Sequence, residues 1–171
     1  MRCKWIVGAA GIISLIVVGI SSYSFAGDKA TPRDVVQKVQ AAVSTLEKSK
    51  GSDVSAFDNP KGPWVFKDSY VYIQDCAKGT MVAHPFAPQL IGKNLTGLQD
   101  VKGNFLTAEL CAAGKKSGGG WAEYWFPKPG EKTPSRKVGY ALQVPGTSLV
   151  ATAGIYSDTL KVSDLDKQLK K

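Results

Sequence analysis

The chain has 171 residues, with 22 Lys and Arg against 14 Asp and Glu, a formal net charge of +8, three cysteines and one histidine. This length suits one domain with a single core, and one histidine without any Cys-x-x-Cys spacing excludes a zinc ribbon or covalently attached haem. The chain also lacks the Gly-x-x-x-x-Gly-Lys-Ser/Thr phosphate loop and the Gly-x-Ser-x-Gly nucleophile elbow, which argues against most familiar enzyme classes.

Residues 1–26 predict an export signal. A basic start precedes an apolar run from Trp5 to Ile20, and small residues at Ser24 and Ala26 suit the signal peptidase. We therefore expect cleavage before Gly27 and a mature protein that is periplasmic or otherwise exported. The alternative is an uncleaved membrane anchor, although the apolar run is slightly shorter than the ~20 residues that span a bilayer.

The mature chain opens with a predicted amphipathic helix. Thr31 suits the N-cap, Pro32 the first helical position and Asp34 the first turn, where an acidic residue is favourable. Apolar residues then recur at helical spacing as far as Leu46, and Gly51 marks the end. We expect the apolar side of this helix to pack on a flat surface as core.

A pair of strands and a hairpin follow the helix. Trp64–Phe66 and Tyr70–Ile73 are rich in β-branched and aromatic residues, and Asp75–Gly79 has the composition of a turn. Thr80–His84 is then predicted to return antiparallel. Two prolines stop regular structure after it, which predicts a loop over residues 85–94.

The second half of the mature chain is predicted to add one helix and three strands. A weaker helix covers about Gly103–Ala113 and ends in a glycine-rich run. The strands are Trp121–Phe126, Arg136–Gln143 and Ser148–Tyr156, and the tail Asp158–Lys171 is a short polar helix at best. Strands in close succession with helices outside them indicate an antiparallel α+β domain.

Two cysteines, Cys76 and Cys111, remain after the predicted cleavage. In an exported chain an even pair favours a disulfide because the compartment is oxidising. In the chain-entropy model such a link would stabilise the fold by ~3–4 kcal/mol. The alternative is a pair of buried free thiols.

The lysines of the mature chain are scattered rather than clustered. No arginine-rich stripe interleaved with aromatic residues occurs, so nucleic acid is not an expected partner. We interpret the positive charge as a solvated basic surface that also attracts small anions modestly.

Short motifs follow one another in a characteristic order along the mature chain. They are Ala83-His84-Pro85, Ile91-Gly92-Lys93-Asn94-Leu95, Gly119-Gly120-Trp121-Ala122-Glu123-Tyr124-Trp125, Lys137-Val138-Gly139-Tyr140, and Pro145-Gly146-Thr147 leading to Gly154-Ile155-Tyr156. Their order and spacing resemble the single Cache domain, type 2, of bacterial extracytoplasmic sensors. The resemblance covers about residues 31–159 of one predicted domain, residues 27–171, that ends in a short C-terminal tail.

This resemblance implies a PAS-like fold, with a long N-terminal helix packed on a five- or six-stranded antiparallel sheet and a small-molecule pocket under a loop on the opposite face. Members typically bind small organic acids such as acetate, propionate, pyruvate or lactate, and signal through a membrane helix to a kinase or chemoreceptor. Few residues follow Tyr156, so we expect the stand-alone exported variant rather than direct transmembrane signalling.

A carboxylate ligand needs charge-assisted donors in a mostly apolar hollow. The resemblance and this requirement together indicate a set of candidate ligand-binding residues. They are Tyr72, His84, Trp125, Arg136, Tyr140, Trp64 and Lys93.

Period-two alternation places Arg136 and Tyr140 on one sheet face, and Tyr70 with Tyr72 on one face. Alternation does not decide which face lies away from the helix. We expect it to be the Arg136/Tyr140 face, since an arginine and a phenol suit a pocket better than a core. Arg136 could instead lie at a solvated strand edge, and each tyrosine could be an ordinary half-buried sheet residue.

The remaining candidates also have plain alternatives. His84 begins the proline-rich loop, where it would either donate to an anion or bond to loop carbonyls. Trp64 and Trp125 would wall the pocket or belong to the core. Lys93, in the loop, is the weakest candidate because most loop lysines only face water.

The leading hypothesis is a non-catalytic module that captures a small carboxylate and presents it to a membrane sensor kinase, chemoreceptor or transporter. We expect no catalytic residue, cofactor or metal, although a Cys–His pair with His84 is conceivable. A third hypothesis is an interaction protein of the same fold whose pocket has closed. It would use a sheet face or the first helix to form a homodimer.

Overall fold

A six-stranded antiparallel sheet with helices packed on both of its faces forms the protein. The computed structural model describes residues 28–169, so the predicted signal peptide lies outside the described residues. The strands are β1 (Val65–Phe66), β2 (Ser69–Asp75), β3 (Thr80–Ala83), β4 (Gly120–Pro127), β5 (Pro134–Gln143) and β6 (Leu149–Tyr156). The helices are α1 (Pro32–Lys48), α2 (Leu106–Gly114) and α3 (Val162–Leu169), with short 3-10 turns at Ser55–Asp58 and Pro88–Leu90.

The strand order is β1-β2-β6-β5-β4, and β3 also pairs with β2. All of these pairings are antiparallel, and β1 and β3 occupy successive parts of the same edge of β2. The predicted α+β class and the five- or six-stranded sheet are therefore confirmed. Strand β5 lies between β4 and β6 and pairs with both.

Helix α1 begins where its local sequence predicts. The Oγ1 atom of Thr31 accepts a hydrogen bond from the Asp34 N–H at 3.3 Å, and an Asp34 carboxylate oxygen accepts from the Thr31 N–H at 2.8 Å. This reciprocal pair is a capping box, and such a cap contributes about 1 kcal/mol. The buried stripe that follows packs on the sheet and consists of Val35, Val39, Ala42, Val43 and Leu46.

The second and third helices differ from their predictions for local and tertiary reasons. Helix α2 begins at Leu106 rather than near Gly103, because Gly103 has a φ of +85°. The Asp100 carboxylate also holds the backbone of residues 102–104 in a turn. The tail does form a helix, α3, but it is amphipathic: Leu165 is buried in the α1 side of the core.

The sheet separates two apolar clusters. The cluster between the sheet and α1 includes Val71, Ile73, Val138, Tyr140, Ala151, Ala153 and Ile155. The cluster between the sheet and α2 includes Tyr70, Tyr72, Tyr124, Ala141, Val150, Leu106, Leu110 and Ala113. Because successive strand residues point to opposite faces, each strand supplies both clusters alternately.

The predicted disulfide is confirmed. Cys76, directly after β2, is bonded to Cys111 in α2, with their Cα atoms 5.7 Å apart. The link ties α2 to the sheet on the face away from α1.

Candidate ligand-binding site

A row of polar aromatic residues surrounds one lysine on the sheet face that α2 covers. Lys137 on β5 lies directly opposite Tyr124 on β4 and Tyr156 on β6 in the strand register. Tyr70 and Tyr72, two residues apart on β2, point to the same face. Alternation and antiparallel register therefore bring these side chains together from four strands.

Lys137 is fully buried, with a relative exposure of 0%. Its Nζ atom lies 3.9 Å from the ring centroid of Tyr70, 4.8 Å from that of Tyr156 and 5.7 Å from that of Tyr72. Among residues 28–169, this Nζ atom has no hydrogen-bond partner. Burial disfavours the charged form and lowers the pKa of Lys137 to about 7, against a weaker opposing effect of the Asp68 carboxylate.

The surrounding phenols are neutral at physiological pH. Burial raises the pKa of Tyr70, Tyr72 and Tyr124 above the usual value of a phenol. The Tyr72 and Tyr124 hydroxyls share a hydrogen bond of 2.9 Å, and the Tyr156 hydroxyl donates to the Pro127 carbonyl at 2.7 Å. The Tyr72–Tyr124 pair keeps one hydroxyl hydrogen outside the shared bond, which can donate to a ligand, whereas the hydrogen of Tyr156 is engaged by Pro127. None of these neutral groups gives Lys137 a negative charge.

His84 closes the site beside the tyrosines. It follows β3 directly, is buried, and its ring lies 5.3 Å from that of Tyr72. Its Nδ1 atom accepts hydrogen bonds from the backbone N–H groups of Phe86 and Ala87, at 3.1 and 2.9 Å. The neutral ring therefore carries its hydrogen on Nε2, which is a donor. Burial, and then the charge of Lys137, lower the pKa of His84 to about 3.

A narrow cavity of about 10 Å³ lies between these residues, Met81 of β3 and the cover provided by the start of α2. This volume is about what one water molecule requires. Tyr70 and Tyr72 both line the cavity and flank Lys137. The complete lining is Tyr70, Tyr72, Met81, His84, Leu106, Tyr124 and Phe126.

Glycines on two strands make room for the site. A Cβ atom at Gly154 on β6 would lie 2.9 Å from Cε of Lys137, closer than carbon atoms pack. A Cβ atom at Gly139 on β5 would lie 3.0 Å from a ring carbon of Tyr124. The absence of side chains at these positions lets the lysine stem and the phenol ring lie flat along the sheet.

The disulfide fixes the cover over the site. Cys111 lies in α2, the helix whose first residue, Leu106, lines the cavity. The Gln74 amide nitrogen on β2 donates to the Thr107 carbonyl at 3.5 Å and contacts Sγ of Cys111 at 3.2 Å. The covalent link and these contacts hold α2 against the end of β2.

Of the residues proposed from sequence, Tyr72 and His84 meet at this cavity. Arg136 and Tyr140 do not, and the expectation that their face lies away from the helix is wrong. Tyr140 is buried on the α1 side, and its hydroxyl donates to the Gly118 carbonyl at 2.7 Å. Arg136 forms an ion pair with Glu123 and donates to the carbonyl of Leu160 at 2.8 Å.

The other three candidates also lie away from the cavity. Trp64 stacks on Phe57, with ring centroids 4.6 Å apart, and packs against the α1 side of the core. Trp125 lines a separate open depression beside Arg136 at the far end of β4. Lys93 is exposed. A ligand role for these residues stays a prediction.

The residues that sequence reasoning missed are Tyr70, Tyr124, Lys137 and Tyr156. Tyr70 shares the face of Tyr72 by alternation, which was a usable signal. Lys137 gave a weaker one, since a lysine inside a strand is unusual when that strand is central to a sheet.

Residues 28–169 contain no group of three or more His, Cys, Asp or Glu side chains placed to hold a metal ion. Within the same range, no helix is both long enough and apolar enough to cross a membrane.

Residues 16–169 match the family model described as Single Cache domain 2. The chain belongs to this family. The match begins inside the predicted export signal and ends at the last residue of α3. The family resemblance seen in the motifs is thus confirmed over nearly the whole chain.

This Cache domain is similar to parts of larger signalling proteins. It is 27% identical over 103 residues to the methyl-accepting chemotaxis protein McpP of Pseudomonas putida, covering 60% of this chain and 19% of that protein. It is 27% identical over 149 residues to the sensor histidine kinase MctS of Rhizobium johnstonii, covering 87% of this chain and 29% of that protein. The chain therefore spans less than a third of either relative.

Solved structures show the same fold. A methyl-accepting chemotaxis protein from Vibrio parahaemolyticus matches with a TM-score of 0.61 and 26% identity, covering 78% of this chain and 90% of that one. A Cache chemosensory domain described for carboxylic acid recognition matches with a TM-score of 0.56 and 25% identity, covering 72% of this chain and 86% of that one. This Cache domain is thus a homologue of the sensor domains of chemoreceptors and sensor kinases.

Proposed function

We propose that this Cache domain is an extracytoplasmic sensory module that binds a small monocarboxylate between the sheet and α2, with Lys137 as the anchor for the carboxylate. The observation that carries the proposal is the Nζ atom of Lys137, which is buried without a hydrogen-bond partner among the described residues. A buried amine without partners destabilises a fold, so its presence in a sheet calls for a functional reason.

The chemistry around the lysine suits a carboxylate. A carboxylate supplies the negative charge that an ammonium group lacks in this environment, and charge-assisted hydrogen bonds are the strong ones. The Tyr72–Tyr124 pair, which keeps one hydroxyl hydrogen outside its shared bond, and the Nε2–H group of His84 are further donors at the cavity. Two oxygens with several lone pairs can use all of these donors.

The cavity walls favour a ligand with a short apolar body. Met81, Leu106 and Phe126 also line the cavity and present hydrocarbon or ring surface. Acetate, propionate, pyruvate and lactate, the acids expected from the family resemblance, have a carboxylate with a small remainder. Such acids combine a polar carboxylate with a small apolar group, which suits a cavity lined by both polar donors and apolar side chains.

A second charge on the ligand would be unfavourable. Lys137 lies against the rings of Tyr70 and Tyr72 and does not itself line the cavity, and no other lysine or arginine among the described residues lines it. The pKa of His84 keeps that ring neutral near pH 7. A second carboxylate would be buried without a partner, which is costly. We therefore expect monocarboxylates to bind more tightly than dicarboxylates of similar length.

Binding must enlarge the cavity. The space of about 10 Å³ is smaller than even acetate requires. Met81 can move because methionine is unbranched and flexible, and Leu106 begins a helix that has no side-chain hydrogen bond at its N-cap. We infer that these two side chains move apart as the ligand enters.

The domain would act by presenting its ligand to a membrane sensor kinase, chemoreceptor or transporter, outside the cytoplasm and without catalysis. The similarity to chemoreceptor and sensor kinase domains supports this role. The small cavity favours one second candidate: an interaction protein with a closed pocket that forms a homodimer.

Calorimetry with ligand-stripped mature protein tests both candidates. We expect heat of binding with at least one of acetate, propionate, pyruvate or lactate, a weaker response to malonate and succinate, and loss of binding in Lys137→Met. The matched control Lys61→Met removes an exposed lysine outside the proposed site and should bind normally. No binding to any acid, together with a tight dimer by light scattering, would support the second candidate instead.

A further inference from the structure

The groups that face Lys137 provide no negative charge close to its Nζ atom. They come from each element packed against it: Tyr70 and Tyr72 on β2, Tyr124 on β4, Tyr156 on β6 and His84 after β3. The phenols and the imidazole are neutral near pH 7. The Asp68 carboxylate favours the charged form of Lys137 by electrostatic attraction, but it does not hydrogen bond to Nζ. One of its oxygens instead accepts from the Ala30 N–H at 2.7 Å.

This arrangement disfavours the ammonium form. Moving a charge into a buried site is costly unless an opposite charge or several hydrogen bonds accompany it. The faces of the Tyr70 and Tyr156 rings lie near Nζ and offset part of that cost by cation–π attraction, but they carry no full negative charge, and the neutral amine avoids the cost altogether. The pKa of Lys137, lowered by burial to about 7, agrees with this geometric argument.

A bound carboxylate favours the ammonium form of Lys137 over the neutral amine. It brings a negative charge next to Nζ, and an opposite charge within hydrogen-bonding distance favours the protonated lysine. The acid itself arrives ionised, because carboxylic acids titrate near pH 4. The proton that completes the ion pair must then come from solvent.

Building on the proposed function, we propose that this site takes up one proton with each carboxylate. Net binding is then equivalent to binding the undissociated acid. The step is balanced: a free amine, a proton and a carboxylate anion become an ammonium–carboxylate pair, and no covalent bond changes. The module would thus respond to the product of carboxylate and proton concentrations rather than to carboxylate alone.

The consequence is a defined pH profile. Above the lysine's pKa, each unit of pH should weaken the apparent affinity about tenfold, because the free site must gain a proton to bind. Below that pKa the lysine is already protonated, and the affinity should level off. A site whose lysine stays charged throughout would show a flat profile across the same range.

Calorimetry in phosphate and in Tris, two buffers with different enthalpies of ionisation, measures the protons taken up per ligand. With acetate and propionate we expect uptake that approaches one proton at about pH 8.5 and falls toward zero at about pH 6. Binding with no uptake at the higher pH would overturn this inference but leave the proposed function intact. Absence of binding at the lower pH would overturn the proposed function itself.

A second measurement assigns the proton. Protein labelled with ¹³C at the lysine Cε, with Lys137→Met to identify the resonance, should show Lys137 titrating near pH 7 without ligand and well above it with ligand. A resonance that titrates near the ordinary value of a lysine, about 10.4, in the ligand-free protein would overturn the inference even if the site bound acids tightly.

Discussion

The side chain of Lys137 crosses the neighbouring strand at Gly154, where even a single Cβ atom would lie 2.9 Å from the lysine Cε. The same Cβ would also lie 2.9 Å from the Val138 carbonyl oxygen, so backbone as well as side chain would have to move. Gly154 therefore shapes the site although it has no functional group of its own.

We predict that Gly154→Ala destabilises the fold by about 1–3 kcal/mol, the usual effect of overpacking a well-packed core. It should also weaken carboxylate binding, because the lysine stem must leave its present path. Urea unfolding and calorimetry measure the two effects. Gly97→Ala is the control, since nothing lies within 4 Å of a Cβ atom at that position. Equal affinities for the two variants would contradict the proposed position of the anchor.

A matched pair of tyrosines tests which sheet face binds the ligand. Tyr72 lines the cavity, and its hydroxyl bonds to that of Tyr124, whereas the Tyr140 hydroxyl bonds to the Gly118 carbonyl on the α1 side. Each Tyr→Phe change removes one hydroxyl and should lower the free energy of unfolding by about 1 kcal/mol.

Only Tyr72→Phe should also reduce the affinity for acetate or propionate, by about threefold to tenfold for one lost hydrogen bond. Calorimetry measures the affinity of both variants for these acids and so shows which sheet face binds them. If Tyr140→Phe were the variant with reduced affinity, the face that we expected from the sequence would be the binding face after all.

Lys137→Met should give a more stable protein near pH 7, by about 1–3 kcal/mol, because methionine fills similar space without a buried polar group. The wild-type lysine has a folded pKa of about 7, below the ordinary 10.5. The unfolded chain thus binds more protons between these values, and wild-type stability rises with pH across that window. The destabilisation caused by burying this lysine is complete below pH 7 and disappears as the pH approaches 10.5.

The stability difference between Lys137→Met and wild type should therefore shrink as the pH rises from 7 toward 10. Urea unfolding at several pH values in this range measures it, and the comparison cancels the titration of other groups. A difference that stays constant with pH would mean that the lysine is not neutral in the folded protein.

Replacing Cys76 and Cys111 together by serine should lower the free energy of unfolding by ~3–4 kcal/mol in the chain-entropy model. The loss should be uneven, since the bond ties α2 to the end of β2. Hydrogen exchange should show that the amides of α2 lose protection relative to those of α1, which the link does not touch. Equal loss of protection in both helices would argue that the bond does not fix the cover of the site.

Local patterns predicted much of this fold. The start of α1 depends on Thr31, Pro32 and Asp34, which are neighbours in the chain, so its capping box could be read directly. Strand positions followed from β-branched and aromatic residues. The docking of α3 could not be predicted in this way. It depends on Leu165 reaching a distant part of the core and on Asp166 accepting from the Trp121 N–H at 3.0 Å.

The sequence by itself determined the elements, the family and the alternation of residues along each strand. It did not decide which face of the sheet α1 would cover, because a period of two assigns residues to faces without naming the faces. Tertiary packing made that choice: α1 covers Val138 and Tyr140, and Lys137 consequently lies on the opposite face. Antiparallel register then placed the lysine between Tyr124 and Tyr156 on the neighbouring strands, where its amine is buried without a hydrogen-bond partner among the described residues.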